Sequence, residues 1–427
     1  MRLQLAAMAA LAIAPVLSAQ AQSRSEPFTL ADAVVRVAAL HPDLRLVDAR
    51  REVLDAQRDG AAVRPPWTVG ATLENALGSG AYRGVDQAEL TVTLAGVLER
   101  GDKLDARRVL AQANLDTLAP QREIARLDLL AETARRYLQV SAAIGQGEIA
   151  KLDVEQRQRT VVAARKRLAA GASPESVVLT AQAALAEAEL DRDRAAQAEQ
   201  AARQHLAALW NGRDAQFGQI TGDPLWLPML DPFPTLAQHL ERAPELAQLA
   251  GEDRIREARL RLASTEATAD LQWQVGARAL RPDNDMALVA GLSLPLGAAA
   301  RAQPGIRAAR AEWALGPIER ESLAVGLYSA LAASHGQYMT ARLEAQRLGN
   351  EVLPKLAQAE QAADRAWRAG AISYMEWGML QDQRVRVRAR QLQAALLAQT
   401  ALIEIQRLVG LPIVAADDSS QTKDATE

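Results

Sequence analysis

The sequence predicts a mainly α-helical fold with a small β part, in which long α-helical hairpins are combined with four strands per chain. Three observations predict it. Aromatic residues make up only 4% of the 427 residues, whereas alanine, leucine, arginine, glutamine and glutamate dominate, which is typical of long helices. The chain repeats itself at an offset of about 200 residues. Each repeat places two short alternating segments before a very long helical stretch.

The N terminus has the pattern of a secretory signal peptide. Arg2 precedes an apolar run that ends near Leu17, and AQA at 19–21 is a small-x-small cleavage motif, so residues 1–21 are predicted to be removed. The alternative, a membrane anchor, fits less well because the apolar run is short and contains Pro15. Cysteine is absent from the sequence, which excludes disulfides, thiolate metal ligands and a lipid-bearing cysteine.

Short matches indicate a tandem repeat. Four of them recur in the same order, at offsets of 199 to 206 residues: TLA (29–31 and 235–237), HPDL and APEL (41–44 and 243–246), VGA (69–71 and 275–277), and Gly-Ala (171–172 and 370–371). We therefore predict two structural repeats, residues 22–210 and 236–411, joined by a connector at 211–235. The connector is rich in glycine, proline and aspartate, which end helices. A polar tail at 412–427 is predicted to be disordered.

One β-hairpin is predicted in each repeat, at about 67–97 and 271–296. In LQWQVGARAL, residues 271–280, apolar and polar side chains alternate with a period of two, as in a strand. Each segment is about ten residues long, the length of a tilted strand that crosses a bilayer. Four strands cannot close a barrel, and open edges cannot lie in lipid, so three copies would supply a twelve-stranded outer-membrane barrel. The alternative is a four-stranded sheet packed on helices in a soluble periplasmic protein.

A very long helical stretch follows each predicted hairpin, at 102–167 and at about 303–369, and each would reach roughly 90 Å if continuous. Pro317 and Pro354 are expected to mark bends or changes of register in the second stretch. Beyond it lies a run of alternating arginines, interpreted as a solvated helix face: Arg384, Arg386, Arg388 and Arg390. Acidic residues balance the arginines and the net charge is −3, which argues against nucleic-acid binding.

Taken together, the signal peptide, the two repeats, the two β-hairpins and the two long helical hairpins resemble the TolC-type outer-membrane factor family over almost the whole mature chain. Two stretches are similar to the outer-membrane subunits of cobalt-zinc-cadmium type heavy-metal (RND) efflux pumps: LERGDKLDARRVLAQA at 98–113 and LSLPLGAAARAQPGIRAARAE at 292–312. Arg100 stands where that branch has a glycine. The resemblance implies a homotrimeric channel-tunnel, with a twelve-stranded β-barrel in outer-membrane lipid and an α-barrel in the periplasm of a Gram-negative bacterium. It also implies two protein partners, a periplasmic adaptor (membrane fusion protein) and an inner-membrane RND pump.

The resemblance further implies that the turns of the helical hairpins, at 170–174 and 369–373, contact the adaptor. The residues carried over are Arg167, Gly171, Ala172 and Ser173 in the first turn and Arg368, Gly370, Ala371 and Ser373 in the second. The residue types also suit a turn, since glycine permits a left-handed helix end and Ser173 or Ser373 can cap the returning helix. Pro174 is then expected at the first helical position. The alternative is that these residues are caps and nothing more.

Glu376 occupies the position where relatives place an acidic residue that faces the pore at its closed end, and Glu175 is the weaker counterpart in the first repeat. Three copies of Glu376 around a threefold axis would form a carboxylate ring, which favours cations. Such a ring would also resist tight closure because like charges repel. The alternative is an ordinary solvated helical glutamate.

No catalytic, cofactor-binding or metal-binding residues are predicted. The four histidines are far apart in sequence, and no phosphate loop or nucleophile motif is found. The leading hypothesis is a passive exit duct of a tripartite efflux pump, with divalent heavy-metal cations as its cargo. One alternative is a duct for drugs or for type I secretion. An alternative of another class is a soluble periplasmic coiled-coil adaptor or scaffold, and an enzyme on a helical scaffold is more remote.

Overall fold

A computed structural model of the chain describes residues 27–213 and 215–413. The predicted signal peptide, and the predicted tail from residue 414 onwards, lie outside these residues. Both halves of the described chain have the same order of elements: helices, a β-hairpin, and a long helical hairpin. The prediction of a mainly α fold with four strands is confirmed. Among the described residues, no helix is both long and apolar enough to span a bilayer.

In the described residues, the first half contains five α-helices and two strands. They are α1 (Leu30–Leu40), α2 (Pro42–Ala61), β1 (Thr68–Glu74), β2 (Glu89–Leu98), α3 (Lys103–Asp116), α4 (Leu118–Ala169) and α5 (Glu175–Ala207). The second half repeats this order with α6 (Phe233–His239), α7 (Pro244–Thr265), β3 (Leu271–Leu280), β4 (Asp285–Ser293), α8 (Ala298–Arg347), α9 (Leu353–Arg368) and α10 (Tyr374–Val409). A one-turn π-helix, Leu348–Val352, joins α8 to α9.

The four strands form one antiparallel sheet in the order β1-β2-β3-β4. The pairing brings apolar positions into common rows across the sheet, for example Val69, Leu94, Val275 and Ala290. The row three positions along the sheet contains Thr72, Thr91, Arg278 and Ala287 and belongs to the other face, where Arg278 donates to Glu89 at 3.1 Å and to Thr91 at 3.0 Å. The alternation read from the sequence therefore separates an apolar from a polar face. Both β1 and β4 are edge strands in the single chain.

An ion-pair network fixes the corner at which β2 enters the helical region, within the stretch 98–113. Lys103 is almost fully buried and its Nζ lies 2.8 Å from the Asp270 carboxylate. The same carboxylate accepts the backbone N–H of Arg100 at 3.0 Å. Arg107 forms a bidentate ion pair with Glu99, in which Arg107 Nη2 lies 2.9 Å from Glu99 Oε2. Because these charged groups come from both halves of the chain, they hold the sheet in a set orientation on the helices.

Both long helical stretches are interrupted, and the positions of the interruptions agree only in part with those predicted from the sequence. The stretch 102–167 is broken at Thr117, where Thr117 Oγ1 donates to the Asn114 carbonyl at 2.7 Å. The 52-residue helix that follows is about 80 Å long, rather than the roughly 90 Å expected of an unbroken stretch. In the second half, Pro317 lies inside α8 without ending it. The change of register falls in the π-helix directly before Pro354, because proline cannot donate the next helical hydrogen bond.

Two apolar clusters anchor the helices around the connector. Tyr137 belongs to a cluster with Phe28, Val37, Val140 and Leu206, and its hydroxyl donates to the Thr221 carbonyl at 2.7 Å. The equivalent tyrosine of the second half, Tyr338, is fully buried in the other cluster and donates to the Pro228 carbonyl. Buried hydroxyls need such partners. The connector is therefore held to both helical hairpins by a matched pair of tyrosines.

Candidate functional site

The first hairpin turn joins α4 to α5 through a left-handed glycine. Gly171 has φ +70°, and the Ala172 N–H donates to the Arg167 carbonyl at 2.8 Å, which closes the helix end. The expected serine cap is absent here. Pro174, not Ser173, occupies the N-cap with extended backbone, and the cap has no side-chain hydrogen bond. The proposed position of Pro174 inside the helix is thus wrong by one residue, and this shift leaves Ser173 too early in the chain to cap α5.

The second turn, between α9 and α10, has the same backbone at its first half. Gly370 has φ +78°, and the Ala371 N–H donates to the Ala366 carbonyl at 2.8 Å. Its second half differs, because Ser373 is the N-cap of α10 and forms a complete capping box with Glu376. The Glu376 N–H donates to Ser373 Oγ at 3.2 Å, and the Ser373 N–H donates to Glu376 Oε2 at 2.8 Å.

The carboxylate of Glu376 is exposed and held in one orientation by this box. The hydrogen bond from the Ser373 backbone, followed by that from its hydroxyl, lowers the pKa of Glu376 below its ordinary value. The group therefore carries a fixed negative charge at neutral pH. Glu175 is also exposed, but it is the first residue of α5 and its helix has no capping box. The two glutamates are thus not equivalent, and whether either faces a pore remains a prediction.

The two predicted contact arginines have different surroundings. Arg167 crosses from the first hairpin to the second: one guanidinium nitrogen donates to the Trp367 carbonyl at 2.5 Å and another to the Ala172 carbonyl at 3.3 Å. Its guanidinium also lies 5.3 Å from the Trp367 ring centroid. Arg368 instead pairs with Asp364 on its own helix at 2.9 Å and stays exposed. Arg167 therefore fixes the spacing of the two turns, whereas Arg368 does not.

Stacked tryptophans support the second turn from within. The rings of Trp367 and Trp377 are 4.3 Å apart with 19° between their planes, and both side chains are buried. Tyr374 lies edge-on to Trp377 at 6.4 Å. The indole N–H of Trp377 is buried without a hydrogen-bond partner. This cluster is missing from the first turn, where the corresponding packing uses Val161, Ala164, Val178 and Ala181.

Above the turns, a layer of buried polar side chains joins the two hairpins. Arg157 on α4 is only 7% exposed and pairs with Asp153 at 3.1 Å and with Asp382 on α10. In the same layer, Gln156 on α4 and Arg384 on α10 both donate to Glu360 on α9. Burial raises the pKa of Asp153, although Arg157 acts in the opposite direction.

This layer corrects the interpretation of the arginine run as a solvated face. Arg384 is half-buried in the layer, and burial, followed by the charge of Arg384, lowers the pKa of Arg388. Arg386 and Arg390 are exposed and fit the expectation. Sequence reasoning missed Asp153 and Arg157 altogether, because a single Asp and Arg four residues apart on a long helix look like any surface ion pair.

Among the described residues, no group of three or more His, Cys, Asp or Glu side chains is arranged to hold a metal ion. The predicted site residues lie at one end of the helical region, at or next to the two turns. The structure brings Arg167 against the second turn and Ser373 against Glu376. It does not bring Ser173 or Glu175 into an equivalent arrangement.

Comparisons with known proteins agree with this architecture. Residues 33–212 match the family model described as outer membrane efflux protein. The chain is similar to the cobalt-zinc-cadmium resistance protein CzcC of Cupriavidus metallidurans, with 29% identity over 322 residues, which cover 73% of this chain and 75% of that protein. The resemblance predicted from the sequence is thereby confirmed.

Solved outer-membrane channels share the fold along almost the whole chain. The structure of CusC superposes with a TM-score of 0.75 at 14% identity, over 90% of this chain and 93% of that one. The outer membrane protein VceC of Vibrio cholerae gives 0.72 at 17% identity, over 90% of this chain and 97% of that one. These matches show that the sheet and the long hairpins belong to one known channel-tunnel fold.

Proposed function

We propose that three copies of this chain, whose residues 33–212 match the outer membrane efflux protein family, form an outer-membrane channel with a periplasmic tunnel. The observation that carries the proposal is the four-stranded sheet with one apolar face and two free edges, β1 and β4. Free edges expose unpaired backbone groups, which lipid does not tolerate. Pairing β1 of one copy with β4 of the next closes twelve strands and satisfies both edges.

Two helix faces without a partner in the single chain support the same assembly. Along α8, the large apolar residues Ile318, Val325 and Met339 are exposed and recur at multiples of seven residues. Along α5, Leu179 and Leu190 are exposed, with exposed alanines between them. Apolar stripes at heptad spacing are typical of helices that pack against other helices. We assign the α5 stripe of one copy to the α8 stripe of its neighbour.

The two hairpin turns are proposed to contact a periplasmic adaptor, which connects the channel to an inner-membrane RND pump. The ends of the long hairpins expose Gly171, Ala172, Gly370, Ala371 and Ser373, with Ser173 half-buried beside them. Arg167 holds the two ends at a set spacing, and Arg368 extends the surface. In this arrangement the pump supplies the energy and the channel conducts passively, without a catalytic step.

Divalent heavy-metal cations are the proposed cargo. The support is the similarity to CzcC, a cobalt-zinc-cadmium resistance protein, together with the ionised carboxylate of Glu376 beside the second turn. Three such carboxylates at a narrow pore end favour cations over anions. The capping box gives Glu376 this role in preference to Glu175. The metal is cargo, and the channel itself is proposed to bind none tightly.

The division into two repeats and a connector, predicted from the sequence, is also part of the proposal. Residues 22–210 and 236–411 form two repeats of one structural unit, and 211–235 form an equatorial connector. The shared element order and the matched tyrosines Tyr137 and Tyr338 support it.

Deletion of the gene in its native host tests the proposed function. We expect lower tolerance to zinc, cobalt and cadmium and slower release of preloaded radiolabelled zinc, both restored by the wild-type chain. Loss of tolerance to drugs alone would favour the alternative of a drug duct, and loss of protein secretion would favour a type I role. Recovery of the protein as a soluble periplasmic scaffold, with no effect on any of these, would contradict the proposal.

A further inference from the structure

Two tryptophans lie together on the apolar face of the sheet, at the end where the strands join the helices. Trp67 directly precedes β1, and Trp273 of β3 pairs with Gly96 of β2. Their ring centroids are 6.1 Å apart with 80° between the planes, and Trp67 is 71% exposed. A Cβ atom at position 96 would lie 2.9 Å from the Trp273 ring, so Gly96 lets this ring lie across β2. Exposed tryptophans at the end of an apolar sheet face are typical of the boundary between hydrocarbon and lipid headgroups.

Arg100 lies just beyond this boundary. The ten residues of β2, at about 3.4 Å each and tilted by about 40°, span roughly 25 Å, the height of the apolar band of a membrane barrel. Leu98, the last residue of β2, is on the same face as the tryptophans, and Arg100 is two residues further on. The Arg100 N–H donates to the Asp270 carboxylate at 3.0 Å, so the chain still runs beside the start of β3 at this residue. Arg100 is therefore placed at the depth of the headgroups.

A second arginine, Arg64, is held next to Arg100 by the backbone. The guanidinium of Arg107 pairs with Glu99 at 2.9 Å and also reaches the Val63 carbonyl at 3.5 Å. Arg64 follows Val63 and Arg100 follows Glu99, so the two arginines flank the same guanidinium. Both are exposed, and within residues 27–213 and 215–413 the side chain of neither forms an ion pair or a hydrogen bond.

The carboxylates of this corner leave the two arginines without a partner. Glu99 is taken up by Arg107, and Lys103 lies 2.8 Å from Asp270 and 3.7 Å from Glu266. Asp102 is exposed and has no ion pair in the described part of the chain, so it offsets one of the two free arginine charges. A net positive charge remains beside the tryptophan pair.

We propose that Arg100, with Arg64 beside it, binds the phosphate of an anionic phospholipid whose acyl chains pack against Trp67 and Trp273. A guanidinium matches phosphate oxygens with two parallel hydrogen bonds, and the net positive charge favours a lipid with a net negative headgroup. The placing of this lipid in the periplasmic leaflet rests on the proposed function, whereas the pairing of free arginines with exposed tryptophans rests on the geometry. Because Arg100 stands where the related branch has a glycine, the site is a property of this chain.

Native mass spectrometry of the full-length protein, extracted from outer membranes and stripped of lipid with detergent, tests the proposal. The probe is phosphatidylglycerol, titrated against phosphatidylcholine with the same acyl chains. We expect phosphatidylglycerol to bind more tightly and to saturate at one molecule per chain. Equal affinity for the two lipids would overturn the proposal.

Two matched variants separate the site from general charge attraction. R64Q/R100Q should weaken phosphatidylglycerol binding about 25-fold, or about fivefold for each arginine, and phosphatidylcholine binding much less. R45Q/R50Q removes the same charge from the exposed surface of α2, roughly 16 Å or more along the helix from its end at Ala61, and should leave both affinities unchanged. Unchanged phosphatidylglycerol affinity in R64Q/R100Q, or an equal loss in R45Q/R50Q, would overturn the proposal.

The mass of the protein keeps two failures apart. A single-chain mass would remove the proposed trimeric channel, whereas a trimer that binds both lipids equally would reject the lipid site alone. If R64Q/R100Q does not assemble, R100G takes its place, since glycine is the residue of the related branch. R100G should lose about fivefold in phosphatidylglycerol affinity, and no loss would overturn the proposal.

Discussion

Ser373 and Glu376 cap each other at the start of α10: the serine hydroxyl accepts the Glu376 N–H at 3.2 Å, and the glutamate carboxylate accepts the Ser373 N–H at 2.8 Å. The corresponding turn of the first hairpin has no such exchange, since Pro174 occupies the N-cap position there. Two turns with nearly the same sequence pattern therefore start their returning helices differently. This difference gives the second turn a fixed carboxylate.

Replacing Ser373 by alanine should destabilise its helix start, whereas replacing Ser173 by alanine should not. Ser373→Ala removes the side-chain cap of α10 and should destabilise the first turn of that helix by about 1 kcal/mol. Hydrogen exchange of the Glu376 and Trp377 amides should then be roughly fivefold faster. Ser173→Ala is the matched control, because Ser173 caps nothing, and exchange at 175–178 should stay within a factor of two of wild type. Equal effects of the two substitutions would contradict the assigned caps.

The carboxylate of Glu376 should make the channel cation-selective across the physiological pH range. Its pKa is lowered in the folded protein by the hydrogen bonds from Ser373, so the charge and the stabilising cap are present above the ordinary value of 4.5. Both are lost only as pH falls through the lower, folded-state pKa. In a ring of three copies, repulsion between the carboxylates raises this pKa again, so reversal potentials in planar bilayers should show cation selectivity at neutral pH that is lost as the pH falls through the pKa of the ring.

Glu376→Gln should abolish that pH dependence and reduce the cation selectivity at neutral pH, while Glu175→Gln serves as the control and should change it much less. An unchanged reversal potential in Glu376→Gln would show that this residue does not face the conducting path. A pH dependence of the selectivity that persists in Glu376→Gln would point to another carboxyl group.

The buried pair of Arg157 with Asp153 should tolerate a double substitution better than a single one. Arg157→Ala leaves the Asp153 carboxylate buried without its partner, which costs about 3 kcal/mol in comparable buried pairs. Thermal unfolding should show a clear loss for Arg157→Ala and a smaller loss for Arg157→Ala combined with Asp153→Ala. Arg159→Ala, at an exposed pair two residues away, should have almost no effect. Additive losses in the double variant would contradict a coupled buried pair.

Arg167 should determine the distance between the two turns. Spin labels at Ala172 and Ala371 should give a narrow distance distribution in the wild-type protein, which broadens in Arg167→Ala because the bonds to Trp367 and Ala172 are lost. The neighbouring Arg165 is exposed, and Arg165→Ala should leave the distribution narrow. A distribution insensitive to Arg167→Ala would contradict this role of Arg167.

Much of the fold could be predicted from local patterns in the sequence. The alternation in 271–280 predicted both the strand β3 and its apolar face, because strand side chains alternate strictly between faces. Gly171 and Gly370 predicted the two turns for a similarly local reason, the left-handed backbone that closes a helix.

What sequence reasoning missed depends on contacts between distant residues. The break at Thr117 lies where Gly251 of another helix packs against the threonine methyl group, about 130 residues away in the chain. The pairing of Arg157 with Asp382 joins residues 225 apart, and no spacing rule on α4 could indicate it. Ser173 does not cap α5 because Pro174 occupies the N-cap position, and a shift of one residue in the helix start was enough to cause this.

Native mass spectrometry of the protein tests whether three copies close the sheet in the outer membrane. The protein would be extracted with detergent from purified outer membranes without crosslinking. We expect the protein to be found in this fraction, as a complex with three times the mass of one processed chain. A monomer released into the soluble periplasmic fraction without detergent would contradict it.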